Sequence, residues 1–192
     1  MLVAFKNLQE FIAHLDKNGE LIRIKTPVST DLEITEITDR VSKSSGKALL
    51  FENVKDSQFP VVTNTFGSPR RVELAFGKSP DRMADKIEDL IKSQIPEGIG
   101  DKLKLIPKLI GLAKTPPRTV TSAPCQEVIH TEPDLSIIPV LKCWPQDGGK
   151  FITLPMVITK SLEDGSRNMG MYRIQIYDKT TTGMHWHIHK DG

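Results

Sequence analysis

The sequence predicts an α+β fold in which an N-terminal α/β domain is followed by a region of antiparallel β-strands. Helical and strand periodicities alternate along the first 113 residues, which is typical of layered α/β domains. After a break at residues 114–118, helical periodicity gives way to short strands separated by turns. We therefore expect two domains, at 1–113 and 114–192. The second is expected to be incomplete, because a three-stranded meander leaves an open edge.

Local signals at the helix ends define the helices of the first domain. Asn7 with Glu10 resembles a capping box, and Gly19 ends the helix that follows. Asp31 is expected to cap a second helix that ends near Gly46. Serine followed by proline is typical of a helix start, and this pair opens two further helices, at Ser68 and Ser79. A last helix is predicted over about 101–112.

The strands are predicted from apolar runs and from alternation of apolar and polar residues. The predicted strands cover 21–24, 48–51 and 61–65 in the first domain, and 126–130, 151–162, 168–177 and 183–189 in the second.

Composition excludes several classes of function. The 192 residues carry a net charge of +2, and no basic cluster has interleaved aromatic residues, so a nucleic-acid-binding protein is not expected. No stretch approaches the roughly 18 apolar residues of a membrane-spanning helix, and the N-terminus lacks a signal-peptide pattern. Cys125 and Cys143 are expected to be reduced thiols in a cytoplasmic protein.

Three histidines near the C-terminus alternate with apolar residues. On a strand, His185, His187 and His189 would point to one face, where they could bind zinc or another transition metal. The same spacing also fits a polar strand face without a metal. A hard cation such as Mn²⁺ or Mg²⁺ would take oxygen ligands, for which Asn168 is a candidate, with one imidazole.

The preceding predicted strand contains an arginine and a glycine of interest. Arg173 can hold a carboxylate or phosphate in fork geometry, although an exposed strand arginine has the same spacing. Gly170 is a small residue where a bulky group can approach the backbone. Tyr172 and Trp186 are more typical of packing residues than of stacking platforms.

Taken in order, the motifs of this chain resemble the UbiD family of prenylated-FMN-dependent decarboxylases. The resemblance covers the whole chain, and within the family it is closest to 4-hydroxy-3-polyprenylbenzoate decarboxylases and their menaquinone-pathway relatives. Its last motif is Asn168-x-Gly170-x-Tyr172-Arg173-x-Gln175, followed by His189. The other matching segments lie within 8–21, 32–37, 48–53, 66–72 and 123–126.

The resemblance implies a fold, a cofactor and a reaction. It implies an N-terminal α/β domain, a central split β-barrel like that of flavin reductases, and a C-terminal α/β domain. The implied cofactor is prenylated FMN, made by a partner flavin prenyltransferase. It forms an adduct with an aromatic or unsaturated acid, which then loses CO₂. Members of the family usually form homo-oligomers.

The resemblance also assigns roles to individual residues. Asn168 and His189 match the ligands of a divalent metal, Mn²⁺ or Mg²⁺, with K⁺ as a further candidate. Arg173 matches a catalytic arginine that lies between two carboxylates. The implied cofactor contacts are Met171, Tyr172, Arg173, His185, Trp186, His187, Lys190 and Asp191.

The resemblance places the remaining metal ligand and the proton-handling carboxylates beyond residue 192. We therefore expect this chain to be the N-terminal portion of such an enzyme and to be inactive alone. Two other functions fit the same sequence. One is a non-catalytic assembly or binding module, and the other is a small metal-binding domain that uses the histidine row.

Overall fold

The computed structural model describes residues 5–92 and 119–189. Their contacts define two compact units, one from residues up to 19 together with 68–129, and one from 20–67 together with the residues from 130 onward. The helices are α1 (Leu8–Lys17), α2 (Glu33–Lys43), α3 (Pro69–Phe76) and α4 (Pro80–Lys92), with short 3₁₀ turns at Pro124–Gln126 and Leu135–Ile137. The strands are β1 (Leu21–Ile24), β2 (Ala48–Phe51), β3 (Val61–Thr63), β4 (Lys150–Ile152), β5 (Met156–Lys160), β6 (Arg167–Met171), β7 (Ile174–Ile176) and β8 (Thr182–Met184).

The first unit contains α1, α3 and α4, and side-chain caps define where α1 and α3 begin. The Asn7 side chain accepts the backbone N–H of Glu10 at 2.9 Å, and the Glu10 carboxylate accepts the backbone N–H of Lys6 at 2.9 Å. The Ser68 hydroxyl accepts the backbone N–H of Arg71 at 3.2 Å. Each cap satisfies an amide that has no partner within the helix. Both predicted helix starts are therefore confirmed.

The second unit contains a three-stranded sheet in the order β1-β2-β3. β1 and β2 are parallel and α2 provides the crossover between them, whereas β2 and β3 are antiparallel. All four residues of β2 are buried, as expected for the central strand of a sheet covered on both faces. The core cluster consists of Val28, Ile34, Leu49, Phe51 and Val54.

The start of α2 differs from the prediction. Leu32, at φ +64°, is the N-cap residue and makes no side-chain cap, so the prediction that Asp31 caps the helix is wrong. The carboxylate of Glu33 instead accepts the backbone N–H of Ser29 at 2.7 Å, which supplies an acceptor from inside the first turn. The helix ends at Lys43, close to the predicted end near Gly46.

The later strands are shorter than predicted. β4, β7 and β8 form one antiparallel sheet in the order β4-β7-β8, and β5 pairs with β6 in a separate hairpin. The predicted strand over 151–162 is divided near Pro155, which has no N–H for a ladder. The predicted strand over 168–177 is divided at Tyr172 and Arg173. The strand predicted over 126–130 is absent, and a 3₁₀ turn precedes that stretch.

One face of the β5–β6 hairpin is apolar and open. Met156 lies opposite Met171, and Ile158 lies opposite Met169, so their four side chains share a face. These side chains are 63–70% exposed. The opposite face, which carries Asn168 and Gly170, is half-buried. The hairpin therefore directs its polar motif inward.

The described residues confirm a mixed α/β protein with small sheets, while the split β-barrel stays a prediction. The helix predicted over about 101–112 and the boundary between 113 and 114 lie outside the described residues. Cys125 and Cys143 both carry free thiols, as predicted. Among residues 5–92 and 119–189, we find no helix whose length and apolar character would let it cross a membrane.

Truncation of the core of the second unit should be costly. Phe51 has no exposed surface, so Phe51→Ala should lower the free energy of unfolding by about 3–5 kcal/mol through lost burial and a residual cavity. Ile22→Ala, at a position 45% exposed on the neighbouring strand, is the matched control and should cost much less. Urea unfolding followed by far-UV circular dichroism measures both values, and equal losses would contradict this core assignment.

Candidate functional site

Asn168, Gly170 and Tyr172 lie at alternating positions along one face of the chain at the end of β6. The Asn168 side-chain amide donates a hydrogen bond to the Tyr172 hydroxyl at 3.1 Å. Tyr172 is 5% exposed, and its ring covers Gly170. A Cβ atom at position 170 would lie 2.5 Å from the Tyr172 ring, so only glycine leaves room for it. The bulky group predicted to approach Gly170 is thus the chain's own tyrosine.

Asn168 and Trp186 line the same cavity, which has a volume of about 490 Å³. The other lining residues come from the end of β5, the following turn and β8, and they are Thr159, Lys160, Ser161, Leu162, Glu163, Ser166 and Met184. Their amide, carboxylate and hydroxyl oxygens are the donors that hard cations prefer. This donor set fits a divalent cation.

Arg173 forms a bidentate ion pair with Asp147. Nη1 donates to Oδ1 at 3.2 Å and Nη2 donates to Oδ2 at 2.7 Å. The backbone N–H of Trp144 also donates to Oδ2, at 3.1 Å, and so anchors the carboxylate. The Arg173 side chain is 32% exposed and that of Asp147 is 12% exposed, so water screens this pair less than an ordinary surface pair. Arg173 is therefore not the exposed strand arginine of the alternative interpretation.

The ion pair shifts the pKa of both partners. Hydrogen bonding from Arg173 holds the pKa of the Asp147 carboxyl below its ordinary value, and the hydrogen bond to Asp147 raises the pKa of Arg173. Both groups are consequently charged at neutral pH.

Two aromatic rings complete the surroundings of Arg173. Its guanidinium carbon lies 3.7 Å from the centroid of the Phe151 ring, which is within cation–π range. Phe151 is 4% exposed, and His185 meets its ring almost at right angles with 5.1 Å between centroids. The backbone N–H of His185 donates to the carbonyl of Arg173 at 2.8 Å. Arg173 and His185, both predicted site residues, are thus brought together on Phe151.

The histidine row does not form a strand, which corrects the prediction over 183–189. β8 ends at Met184 because its partner β7 begins at Ile174, directly opposite. Beyond that point one hydrogen bond, from His185 to Arg173, continues the contact. His187 and His189 are exposed. A one-faced row of imidazoles requires a ladder, and the short partner strand cannot provide it.

The described part of the chain contains no group of three or more histidine, cysteine, aspartate or glutamate side chains that could hold a metal ion. The small zinc domain built from the histidine row alone therefore has no preformed site there. Asn168 and His189 stay predicted metal ligands. Met171 is 63% exposed on the open hairpin face, and Lys190 and Asp191 lie outside the described residues.

Sequence reasoning missed Asp147, Phe151 and Glu163. Asp147 is 26 positions from Arg173, and nothing in the intervening sequence marks it as an ion-pair partner. Phe151 falls within a predicted strand and carries no functional signal there. Glu163 falls between two predicted strands, where a carboxylate is ordinary. Only the folded structure places the first two beside Arg173 and the third in the cavity of Asn168.

Two family models match the chain. Residues 12–91 match the 3-octaprenyl-4-hydroxybenzoate carboxy-lyase N-terminal domain, and residues 118–192 match the Rift-related domain of the same carboxy-lyase. An uncharacterized protein of Aquifex aeolicus is 46% identical over 98% of this chain and 40% of its own length. One of Archaeoglobus fulgidus is 45% identical over 99% of this chain and 39% of its own length. The chain thus spans about two fifths of these relatives.

Solved structures share the fold. The enzyme HmfF of Pelotomaculum thermopropionicum, of the UbiD class and in complex with FMN, has a TM-score of 0.71 at 24% identity, over 94% of this chain and 37% of its own. An evolved dimeric form of HmfF in complex with prFMN has a TM-score of 0.74, also at 24% identity, over 96% of this chain and 39% of its own. Vanillic acid decarboxylase of Sedimentibacter hydroxybenzoicus has a TM-score of 0.69 at 28% identity, over 94% and 36%.

The ion pair at Arg173 should make stability depend on pH. Because the folded-state pKa of Asp147 lies below its unfolded value of about 3.9, the pair stabilises the fold fully above that pH. The stabilisation is lost as pH falls through the lowered folded-state pKa. Asp147→Asn should therefore reduce the free energy of unfolding at pH 7 by about 1–3 kcal/mol, with a smaller effect near pH 3. Urea titrations at both pH values measure the difference.

Glu132→Gln is the control for that experiment, since it removes an exposed carboxylate of the same unit. Its effect should be small at pH 7. A loss for Asp147→Asn that is as large at pH 3 as at pH 7 would mean that the ion pair is not its source.

Proposed function

The chain belongs to the UbiD family, and from this membership we propose that it is the N-terminal portion of a carboxy-lyase that decarboxylates an aromatic acid. The observation that carries the proposal is the fixed guanidinium of Arg173. Asp147 engages both of its terminal nitrogens, and Phe151 covers one of its faces. A guanidinium has five N–H donors, and this pairing engages one on each Nη atom. The arrangement suits a residue that orients an acid by hydrogen bonds as well as by charge.

We propose a polyprenylated hydroxybenzoate or a related aromatic acid of quinone biosynthesis as the substrate. The matched family models take their description from 3-octaprenyl-4-hydroxybenzoate carboxy-lyase, which supports this substrate class. The similarity to vanillic acid decarboxylase supports the broader class of hydroxylated aromatic acids. Both substrates are those of the relatives. We extend to this chain the chemistry that they share, decarboxylation of a hydroxylated aromatic acid.

We propose prenylated FMN as the cofactor, with Mn²⁺ or Mg²⁺ beside its phosphate and K⁺ as a further ion. When bound, the modified flavin supplies the electron-accepting ring system that makes loss of CO₂ feasible. HmfF, which shares the fold, holds FMN in one structure and prFMN in another. In this chain, Asn168 and Glu163 would hold the cation.

The remaining site residues keep their proposed roles. Trp186 would contact the cofactor from the wall of the Asn168 cavity, and His185 would do so from the Phe151 cluster. Proposed cofactor contacts also include Met171, Tyr172, Arg173, His187, Lys190 and Asp191, and His189 is a proposed metal ligand. We also propose homo-oligomeric assembly, a flavin prenyltransferase as the source of the cofactor, and a cytoplasmic location.

A non-catalytic assembly module is the second candidate function. The exposed apolar face of the β5–β6 hairpin favours it, because contiguous apolar side chains are uncommon on monomeric surfaces. Self-association of the purified chain without any flavin, measured by analytical ultracentrifugation, would support this alternative.

The carboxy-lyase proposal is tested by joining this chain to the remaining three fifths of the Aquifex aeolicus relative. With prenylated FMN and Mn²⁺ supplied, the joined protein should release CO₂ from a hydroxybenzoate. The 192-residue chain alone should release none, because the resemblance places the proton-handling carboxylates beyond its last residue. Release of CO₂ is measured by headspace analysis of carboxyl-labelled substrate.

Arg173→Lys in the joined protein should lower the rate of release at least about tenfold, because an ammonium cannot reproduce the fork geometry. Exposed Arg40 on α2 provides the matched control, as Arg40→Lys should leave the rate unchanged. Release of CO₂ by the isolated chain would contradict the proposed division of the site.

A further inference from the structure

Tyr172 makes a specific contact that the proposed roles of the site leave unused. Its hydroxyl accepts the hydrogen bond of the Asn168 side-chain amide at 3.1 Å. The tyrosine is 5% exposed, and the contact with half-buried Asn168 is partly buried. The phenol oxygen can accept a hydrogen bond from the NH₂ end of the amide, and this occupies the donor end of Asn168.

An asparagine amide has a donor end and an acceptor end on opposite sides of one planar group. When the NH₂ end is held by Tyr172, the carbonyl oxygen Oδ1 is directed away from the phenol. We propose that Tyr172 is a positioning residue that fixes the amide of Asn168 so that Oδ1 serves as a ligand for a divalent cation in the Asn168 cavity. This inference rests on the metal site of the proposed function.

Gly170 makes this arrangement sterically possible. Period-two alternation places residues 168, 170 and 172 on one side of the chain, so the Tyr172 ring must pass over position 170 to reach Asn168. A Cβ atom there would lie 2.5 Å from ring carbon Cε2 and 3.0 Å from the hydroxyl oxygen. Substitution at position 170 would therefore displace the ring and release the amide.

The surroundings of Asn168 fit the proposed ligand. Glu163, Ser161 and Ser166 line the same cavity and provide further oxygen atoms. Mn²⁺ and Mg²⁺ prefer oxygen ligands, and Mg²⁺ also demands near-octahedral geometry. An asparagine amide that is already fixed should bind these ions more tightly than a freely rotating one, because ordering a mobile amide costs entropy at binding.

The test measures Mn²⁺ binding to the joined protein loaded with prenylated FMN by electron paramagnetic resonance, which reports the concentration of free Mn²⁺. Tyr172→Phe removes the hydroxyl and keeps the ring, and it should weaken Mn²⁺ binding about three- to tenfold, the equivalent of one lost hydrogen bond. Asn168→Ala should abolish the binding. Tyr177→Phe is the matched control, since Tyr177 similarly lies over Gly183 and is 62% exposed. It should bind Mn²⁺ as the wild type does.

A second readout distinguishes the proposed positioning role of Tyr172 from a merely structural role. The ¹⁵N–¹H signals of the Asn168 side-chain NH₂ group should shift and exchange faster with water in Tyr172→Phe, while the melting temperature stays close to that of the wild type. If Tyr172→Phe does not fold, Gly170→Ala replaces it. That variant keeps the hydroxyl, displaces the ring, and should weaken Mn²⁺ binding by a similar factor.

The outcomes separate this inference from the proposed function. Weaker binding in Tyr172→Phe with an unchanged Tyr177→Phe supports the positioning role. Equal binding by wild type and Tyr172→Phe, with loss in Asn168→Ala, overturns the positioning role and leaves Asn168 as a ligand. If Mn²⁺ binding is absent in the wild type, or is unaffected by Asn168→Ala, the metal site of the proposed function fails and the role of Tyr172 fails with it.

Discussion

The candidate site depends on the way the chain passes from one small sheet to another. β6 ends at Met171 and β7 begins at Ile174, so Tyr172 and Arg173 alone separate the hairpin strand β6 from β7 of the β4-β7-β8 sheet. Because consecutive side chains of an extended chain point to opposite sides, the two residues cannot serve the same sheet. Tyr172 packs over the hairpin and holds Asn168, while Arg173 lies against Phe151 of β4. This two-residue link therefore positions both Tyr172 beside Asn168 and Arg173 beside Phe151.

The same link explains why the histidines are not a metal-binding row. β7 can begin only after Arg173, and this leaves three residues for β8 to pair with. The Arg173 carbonyl still accepts the backbone N–H of His185, and the β7–β8 register ends just before it, at Met184. The length of β7 therefore sets the length of β8.

How far sequence reasoning succeeded depends on the range of the interactions involved. The caps at Asn7 and Ser68, and the strands over 21–24 and 48–51, depend on neighbouring residues or on burial patterns, and they were predicted correctly. Asp31 was misplaced because Leu32 adopts a positive φ angle that no local signal reveals. The strand over 183–189 failed because strand length depends on a distant partner. Within the site, residue chemistry made Asn168 and Arg173 candidates and the family resemblance assigned their roles, whereas Asp147 became apparent only in the folded chain.

The charge state of Asp147 limits what this half of the site can do. A carboxyl that donates a proton at neutral pH needs a pKa raised towards 7, as burial away from cations produces. Asp147 has the opposite environment, because Arg173 and a backbone amide hydrogen-bond to its ionised form. It therefore stays a carboxylate, and it orients Arg173 without supplying a proton. In the carboxy-lyase proposed for this chain, protonation of the carbon that loses CO₂ would require a different acid.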